Sequence, residues 1–141
     1  MSRIMRSERT PEPTPAPAPS SRRWAIGDIA FVFLRVATGL LFMTHGLQKL
    51  FGLFGGLGNG ATAPLASRLG VAGGLELLGG LLLAAGLFTR PVALVLACEM
   101  VIAYAIAHLP RGLMPLQNGG EVALLYALIF LFFALTPRTR N

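Results

Sequence analysis

Four long apolar runs, separated by short polar segments, constrain this chain more than any other feature. They cover residues 29–47, 69–88, 91–109 and 122–135. An α-helix rises about 1.5 Å per residue, so roughly 20 apolar residues cross a bilayer core of about 30 Å. The first three runs have this length, and the fourth reaches it with residues 118–121 or where the bilayer is locally thinner. The pattern predicts an integral membrane protein.

Charge content supports the same conclusion. Only 13% of the residues are charged, against about 25% in soluble domains, which is too few to cover a surface that faces water. The connections between the runs are short, so neighbouring helices are antiparallel. We therefore predict an all-α fold, a transmembrane four-helix bundle whose helices cover about residues 28–50, 70–88, 91–109 and 119–136.

The distribution of positive charge predicts the orientation of the bundle. One side of the membrane would hold Arg3, Arg6, Arg9, Arg22, Arg23, Arg90, Arg138 and Arg140. The opposite side would hold only Lys49, Arg68 and Arg111. Positive residues favour the cytoplasmic side, so both termini are predicted to be cytoplasmic. The net charge of +6 is thus an orientation signal, and no nucleic-acid partner is predicted.

Three segments are expected along the chain. Residues 1–23 form a basic, proline-rich tail, in which alternate prolines prevent a helix and predict disorder. Residues 24–137 form the membrane domain, and residues 138–141 form a short basic tail. The single cysteine, Cys98, excludes an intrachain disulfide.

Ionisable residues inside the apolar runs are the candidate functional residues. A charged group at the centre of a membrane helix costs roughly 2.5–3.5 kcal/mol or more, so each needs a physical reason. The first run places Gly39 and Gly46 on the stripe that carries Arg35 and Lys49, and small residues also flank Glu76 in the second run. Small residues allow close helix contact, so the face of the second run that carries Glu76 is predicted to pack against a neighbouring helix rather than lipid.

The predicted orientation sorts the polar residues by depth. Four of them fall in the outer half of the bilayer: His45, Lys49, Glu76 and Glu121. We predict that these four form a layer that handles quinone or protons. Arg35 and Glu99 fall deeper, where they are predicted to form a buried ion pair. A pair of Arg35 with Glu99 or with Glu76 that serves only to fix helix register is the alternative, and both interpretations stay open at this point.

Simpler roles exist for the same side chains. Lys49 at a helix end is typical of a snorkelling anchor, and Glu121 suits a helix N-terminus, where the macrodipole favours negative charge. His45 and His108 share a predicted depth and are candidate axial ligands of a haem. However, His108 lies on the opposite side of its helix from Glu99, so both cannot face the centre of the bundle, which argues against haem. No spacing typical of a metal site is present, and no catalytic residue can be assigned.

The sequence resembles the DoxX family of small four-helix bacterial membrane proteins. The resemblance rests on "RVATGLLFMTHGLQKLFG", "GGLELLGGLLLAAGLFTRPVALVLACEM" and "NGGEVALLYAL", and it covers about residues 29–136. It implies a multi-pass protein of the bacterial cytoplasmic (inner) membrane. By position, the recurring polar residues of the family correspond to Arg35, His45, Lys49, Glu76, Glu99 and Glu121.

The resemblance also implies a link to redox chemistry. Some members of the family are membrane subunits of a thiosulfate:quinone oxidoreductase, and others are membrane partners of soluble enzymes in oxidant defence. Two functions are therefore expected for this chain: a subunit of a quinone-linked redox complex, not catalytic alone, or a non-catalytic scaffold for a soluble enzyme. Nothing in the chain resembles a domain that handles thiosulfate. Besides membrane lipid, the predicted partners are a soluble oxidoreductase and a second copy of the chain.

Overall fold

The computed structural model describes residues 26–136, whose regular secondary structure is helical, with no β-strand. The predictions for residues 1–23 and 138–141 lie outside this range. Within it, five α-helices follow one another: α1 (Ile26–Phe51), α2 (Arg68–Ala85), α3 (Thr89–Ala103), α4 (Pro115–Asn118) and α5 (Glu121–Leu135). A π-helical turn at Tyr104–His108 and a 3-10 turn at Leu109–Arg111 continue α3, and another 3-10 turn follows α1 at Leu53–Gly55.

Three of the helical stretches in residues 26–136 are long and apolar enough to cross a membrane. They are Ile26–Phe51 with 26 residues, Arg68–Ala85 with 18 and Thr89–Arg111 with 23. The helix α5 is equally apolar but has 15 residues, which extend about 22 Å. Large apolar side chains such as Phe33, Leu78 and Leu128 are more than 60% exposed, as expected for surfaces that contact lipid.

The first two helices pack backbone to backbone because glycines face one another. A methyl group added to Gly46 would lie 2.6 Å from the carbonyl oxygen of Gly73, and one added to Gly39 would lie 2.6 Å from that of Gly80. These distances are too short for any side chain larger than hydrogen. The prediction that the small-residue face of the second run packs against a neighbouring helix is therefore confirmed, and that neighbour is α1.

The core lies between this helix pair and a second pair formed by α3 and α5. Its largest fully buried side chains are Phe42, Leu83, Leu96, Phe130 and Phe133. The rings of Phe42 and Phe130 meet edge to face with centroids 4.7 Å apart, which is a favoured aromatic geometry. At one end of the second pair, Nε of Arg90 donates to the carbonyl oxygen of Ala134 over 3.0 Å.

The turn between α2 and α3 requires a left-handed backbone. Gly86 has φ +75° at the C-terminus of α2, a conformation that costs glycine little. Phe88 follows with φ +49°, and α3 begins at the next residue. We call this end of the molecule the turn end, and the opposite end, which carries the two longer connections, the loop end.

A buried asparagine orders the connection between α3 and α5 at the loop end. Asn118 is 2% exposed, and its Nδ2 donates to the Tyr104 hydroxyl over 3.2 Å and to the Gly112 carbonyl over 2.7 Å. Its Oδ1 accepts from the backbone N–H of Gly120 over 2.8 Å. These three hydrogen bonds fix the position from which α5 begins.

Candidate functional site

An ion pair between α1 and α2 forms the centre of the candidate site. The ammonium of Lys49 donates to Oε1 of Glu76. Glu76 is 2% exposed although it lies near the middle of an apolar helix. A methyl group on Gly73 would lie 3.0 Å from Cβ of Lys49, so the two helices approach closely beside the lysine, and its side chain reaches Glu76 one turn along α2.

Two aromatic rings adjoin this pair on the side of α5. The ring of His45 lies edge-on to the ring of Tyr126, with centroids 5.8 Å apart. The ring of Phe42 packs 6.2 Å from that of His45 and 5.0 Å from that of Tyr126. Lys49 interacts electrostatically with His45, and Glu76 with Tyr126. The imidazole and the phenol hydroxyl therefore belong to the same site as the ion pair.

Glu99 on α3 lies at the level of Glu76. A methyl group on Gly79 would lie 2.6 Å from Leu96, so these two residues are level with each other. Glu76 comes three residues before Gly79, and Glu99 comes three residues after Leu96. Because α2 and α3 are antiparallel, both steps lead toward the loop end. Glu99 interacts electrostatically with Glu76 and Lys49, which agrees with this register.

Unpaired acceptor atoms distinguish the site from a simple ion pair. Both carboxyl oxygens of Glu99 are buried and have no hydrogen-bond partner within residues 26–136, and the same holds for Oε2 of Glu76. Buried polar groups are normally hydrogen-bonded, so such exceptions require an explanation. We call the five residues His45, Lys49, Glu76, Glu99 and Tyr126 the polar layer.

The predicted ion pair between Arg35 and Glu99 is not formed in the described part of the chain. A methyl group on Gly86 would lie 2.6 Å from Nη1 of Arg35, so the guanidinium packs against the C-terminus of α2. Eleven residues separate Arg35 from Gly46, or about 16 Å along α1. The arginine is thus near the turn end, where it is placed to stabilise the negative end of the α2 dipole.

Two further candidate residues lie outside the polar layer. Glu121 is exposed at the first residue of α5, five residues before Tyr126. Nδ1 of His108 lies 3.1 Å from the Asn118 carbonyl oxygen, and its ring stacks on that of Tyr104 with centroids 6.1 Å apart. The two histidines therefore contact different groups, and the structure does not bring them together as a pair of ligands.

The sequence analysis missed Tyr126 and assigned Glu99 to a deeper level. A signal for the tyrosine was present, because its hydroxyl is the only polar side-chain group in "VALLYALIFLFFAL", residues 122–135. In the resulting layer, Lys49, His45 and Tyr126 carry hydrogen-bond donors, and the two glutamates carry acceptors. The layer can therefore bind a polar head group and exchange protons with it inside an otherwise apolar protein.

Helices of this length and composition, with large apolar side chains on the outside and a buried polar layer, define an all-helical membrane protein. The DoxX family model matches residues 30–109, which is more than half of the chain. The chain belongs to the DoxX family.

Two relatives match most of the chain. A Haemophilus influenzae protein named "Uncharacterized protein" is 42% identical over 109 residues, which are 74% of this chain and 80% of that protein. A Bacillus subtilis protein named "Putative oxidoreductase CatD" is 33% identical over 110 residues, which are 77% of this chain and 80% of that protein. No solved structure matches the chain.

Proposed function

We propose that this protein is a membrane subunit of a quinone-linked redox complex in the bacterial inner membrane. The observation that carries the proposal is the polar layer, in which two glutamates are held inside apolar helices and three of their oxygens have no hydrogen-bond partner among residues 26–136. The family of the chain and the name of the Bacillus subtilis relative support a redox role. We further propose that a soluble oxidoreductase is the partner that supplies or removes electrons.

The chemistry of a quinone matches the groups in the layer. Its carbonyl oxygens accept hydrogen bonds, which His45 and Tyr126 can donate, and its reduction or oxidation requires protons, which the glutamates can transfer. A pocket of this kind is mostly apolar and contains a few polar groups that fix orientation. The ion pair with Lys49 holds Oε1 of Glu76 in one position, so that Oε2 of Glu76 stays available.

The proposed topology has four spans with both termini in the cytoplasm. In it the loop end faces outward, and the polar layer lies in the outer half of the bilayer or near its centre. The helix α5 has 15 residues, and the short α4 extends it at the loop end. The bilayer thins locally to match the remaining difference between this length and the thickness of its hydrocarbon core. Glu121 then lies at the outer surface, as a relay between water and Tyr126.

The proposal is tested by purifying the protein from its native membranes in mild detergent. We expect bound quinone near one molecule per chain, measured by solvent extraction and chromatography, together with an oxidoreductase identified by mass spectrometry. In the variant Glu76→Gln the protein should still insert, but quinone-dependent electron transfer by the isolated complex should be lost. The substitution Glu121→Gln, at the surface, serves as the matched control for the deep site and should slow turnover without abolishing it.

One result would contradict the redox function, and another would contradict the site proposed for it. An enzyme partner that copurifies without quinone would favour a non-catalytic scaffold, the second function expected from the sequence. Normal turnover in Glu76→Gln would show that the polar layer takes no part in the reaction.

A further inference from the structure

A cleft opens between α1 and α5 beyond the contact of His45 with Tyr126. From the turn end to the loop end, the ring pairs that join the two helices are Phe31 with Phe133, Phe42 with Phe130, and His45 with Tyr126, with centroids 5.3, 4.7 and 5.8 Å apart. Val122 lies one turn nearer the loop end on the same face of α5 as Tyr126, and it is 55% exposed. The face of α5 that contacts α1 is therefore uncovered there, and we call this opening the α1–α5 cleft.

His45 and Tyr126 each lie at the edge of the packed core. On α1, His45 comes three residues after Phe42, which is 1% exposed, and four residues after Leu41, which is 59% exposed. Residues at these two spacings flank a side chain on its two sides, so the imidazole lies between the core and the outer surface. On α5, Tyr126 lies in the same way between the fully buried Phe130 and the cleft.

The polar atoms of these two side chains are accessible and have no partner. Both residues are partly exposed, and neither forms a hydrogen bond within residues 26–136. The unpaired side-chain atoms that are completely buried in this range belong to Arg35, Glu76 and Glu99, so the ring nitrogens of His45 and the hydroxyl of Tyr126 reach the surface. A ligand can therefore contact these two groups directly, whereas the unpaired glutamate oxygens are buried.

The backbone of His45 lies level with the middle of α2. A methyl group on Gly46, the next residue, would lie 2.6 Å from the carbonyl oxygen of Gly73 and 2.5 Å from the backbone nitrogen of Leu77. Between these two lies Glu76, the ninth of the 18 residues of α2. This level is therefore roughly 13 Å from either end of α2, which places His45 near the centre of a bilayer that α2 spans.

The depth of the two groups limits which ligands can bind them. A phenol has one O–H donor and an imidazole has at least one N–H donor, and hydrocarbon chains offer no acceptor for either. The polar groups of phospholipids stay near the interface, roughly 15 Å from the bilayer centre. A ligand must therefore carry acceptor oxygens on a body that dissolves in the hydrocarbon core. A quinone has this chemistry, because its ring carries two carbonyl oxygens and no charge.

We propose that the α1–α5 cleft is a binding site for the ring of a membrane quinone, which receives hydrogen bonds from an N–H of His45 and from the hydroxyl of Tyr126. The ring enters sideways from the lipid past Val122, and its apolar tail stays in the bilayer. The choice of a quinone among lipid-soluble carbonyl compounds rests on the proposed function. The position of the site follows from the accessible, unpaired donors.

The experiment is titration calorimetry of the purified protein in detergent, with a decyl-tailed benzoquinone as the probe. Decylbenzene has the same tail on a ring without carbonyl groups, and we expect the protein to bind the quinone but not this control compound. Tyr126→Phe removes only the hydroxyl and should weaken quinone binding roughly tenfold, about the effect of one hydrogen bond. Tyr104→Phe makes the same change at the loop end, outside the site, and should leave the affinity as in the wild type.

Matched tryptophan substitutions test the position of the site. Val122→Trp fills the cleft with a large side chain and should weaken quinone binding roughly tenfold or more. Val101→Trp changes the same residue type at nearly the same exposure, 54% against 55%, on α3, which does not border the cleft, so the affinity should not change. Failure of the wild-type protein to bind the quinone would overturn the proposal, and so would unchanged affinity in Tyr126→Phe or in Val122→Trp.

These outcomes are separate from the test of the proposed function. If the pure protein binds quinone in the cleft but its native complex shows no quinone-dependent turnover, the site stands and the redox function fails. If turnover depends on Glu76 but quinone binding and turnover are unaffected by Val122→Trp, the redox function stands and the cleft is not its site.

Discussion

Lys49 on α1 forms an ion pair with Glu76 on α2, and the glutamate is almost completely buried. The pair joins the end of one apolar helix to the middle of the next. Since α1 and α2 also touch through their glycines, a small displacement of either helix would separate the charges. The position of the polar layer is therefore coupled to the packing of this helix pair.

Removing the cation should destabilise the protein more than removing both charges. Lys49→Met leaves the Glu76 carboxylate buried and unpaired, which typically costs about 3–5 kcal/mol. The double variant Lys49→Met with Glu76→Met removes the buried charge as well, so it should recover most of the loss. Thermal unfolding in detergent measures both. Arg111→Met, which changes an exposed residue at the loop end, is the control and should change the unfolding temperature little. Equal losses of stability in the single and double variants would contradict the coupling.

Glycine contacts between α1 and α2 should be sensitive to one added carbon. Gly46→Ala places a methyl group against the backbone of Gly73 and should cost about 1–3 kcal/mol, the usual range for overpacking. Gly74 is next to that contact but has open space at its Cβ position. Gly74→Ala should therefore be neutral or stabilise by up to about 1 kcal/mol through helix propensity. The two variants are compared by unfolding each in increasing fractions of denaturing detergent. Similar unfolding midpoints for Gly46→Ala and Gly74→Ala would contradict the close packing at Gly46.

Asn118 should be the most sensitive polar residue of the loop end. Asn118→Ala removes three hydrogen bonds made by a buried side chain, at roughly 1 kcal/mol for each bond. Amide hydrogen exchange should then increase in the loop and in the first turn of α5. Gln117→Ala changes an exposed neighbour and should leave exchange unaffected. If exchange is also unaffected in Asn118→Ala, the side chain does not hold α5 in place.

The fold class, the membrane helices and the family follow from the sequence because they depend on local properties. Apolar runs of about 20 residues, helical spacing of glycines and basic flanks each need only the neighbouring residues to be recognised. The four-span topology and the quinone role are more specific than these three properties, and they remain predictions.

The polar layer could be predicted only in part, because it depends on how helices shift along one another. Counting from helix starts places Arg35 and Glu99 at the same depth, since they are nine and ten residues into α1 and α3. In the structure Arg35 packs at Gly86, so α1 begins about two and a half turns before the level of the α2–α3 turn. This shift separates the arginine from Glu99. Tyr126 was missed because a tyrosine is uncharged, so its presence in an apolar helix does not call for a partner in the way that a charged residue does.

The orientation of the helices gives the last prediction. Eight arginines lie on the side predicted to be cytoplasmic, against Lys49, Arg68 and Arg111 on the other side. The positive-inside bias therefore predicts that both termini are cytoplasmic. In a background with Cys98→Ser, the exposed loop residue Thr62 is changed to Cys in one variant, and Ser7 in another. A membrane-impermeant maleimide should label Thr62→Cys in right-side-out vesicles and Ser7→Cys only in inverted vesicles. The reverse pattern would place the termini outside, and the polar layer would then lie in the cytoplasmic half of the bilayer, away from the proposed outer relay through Glu121.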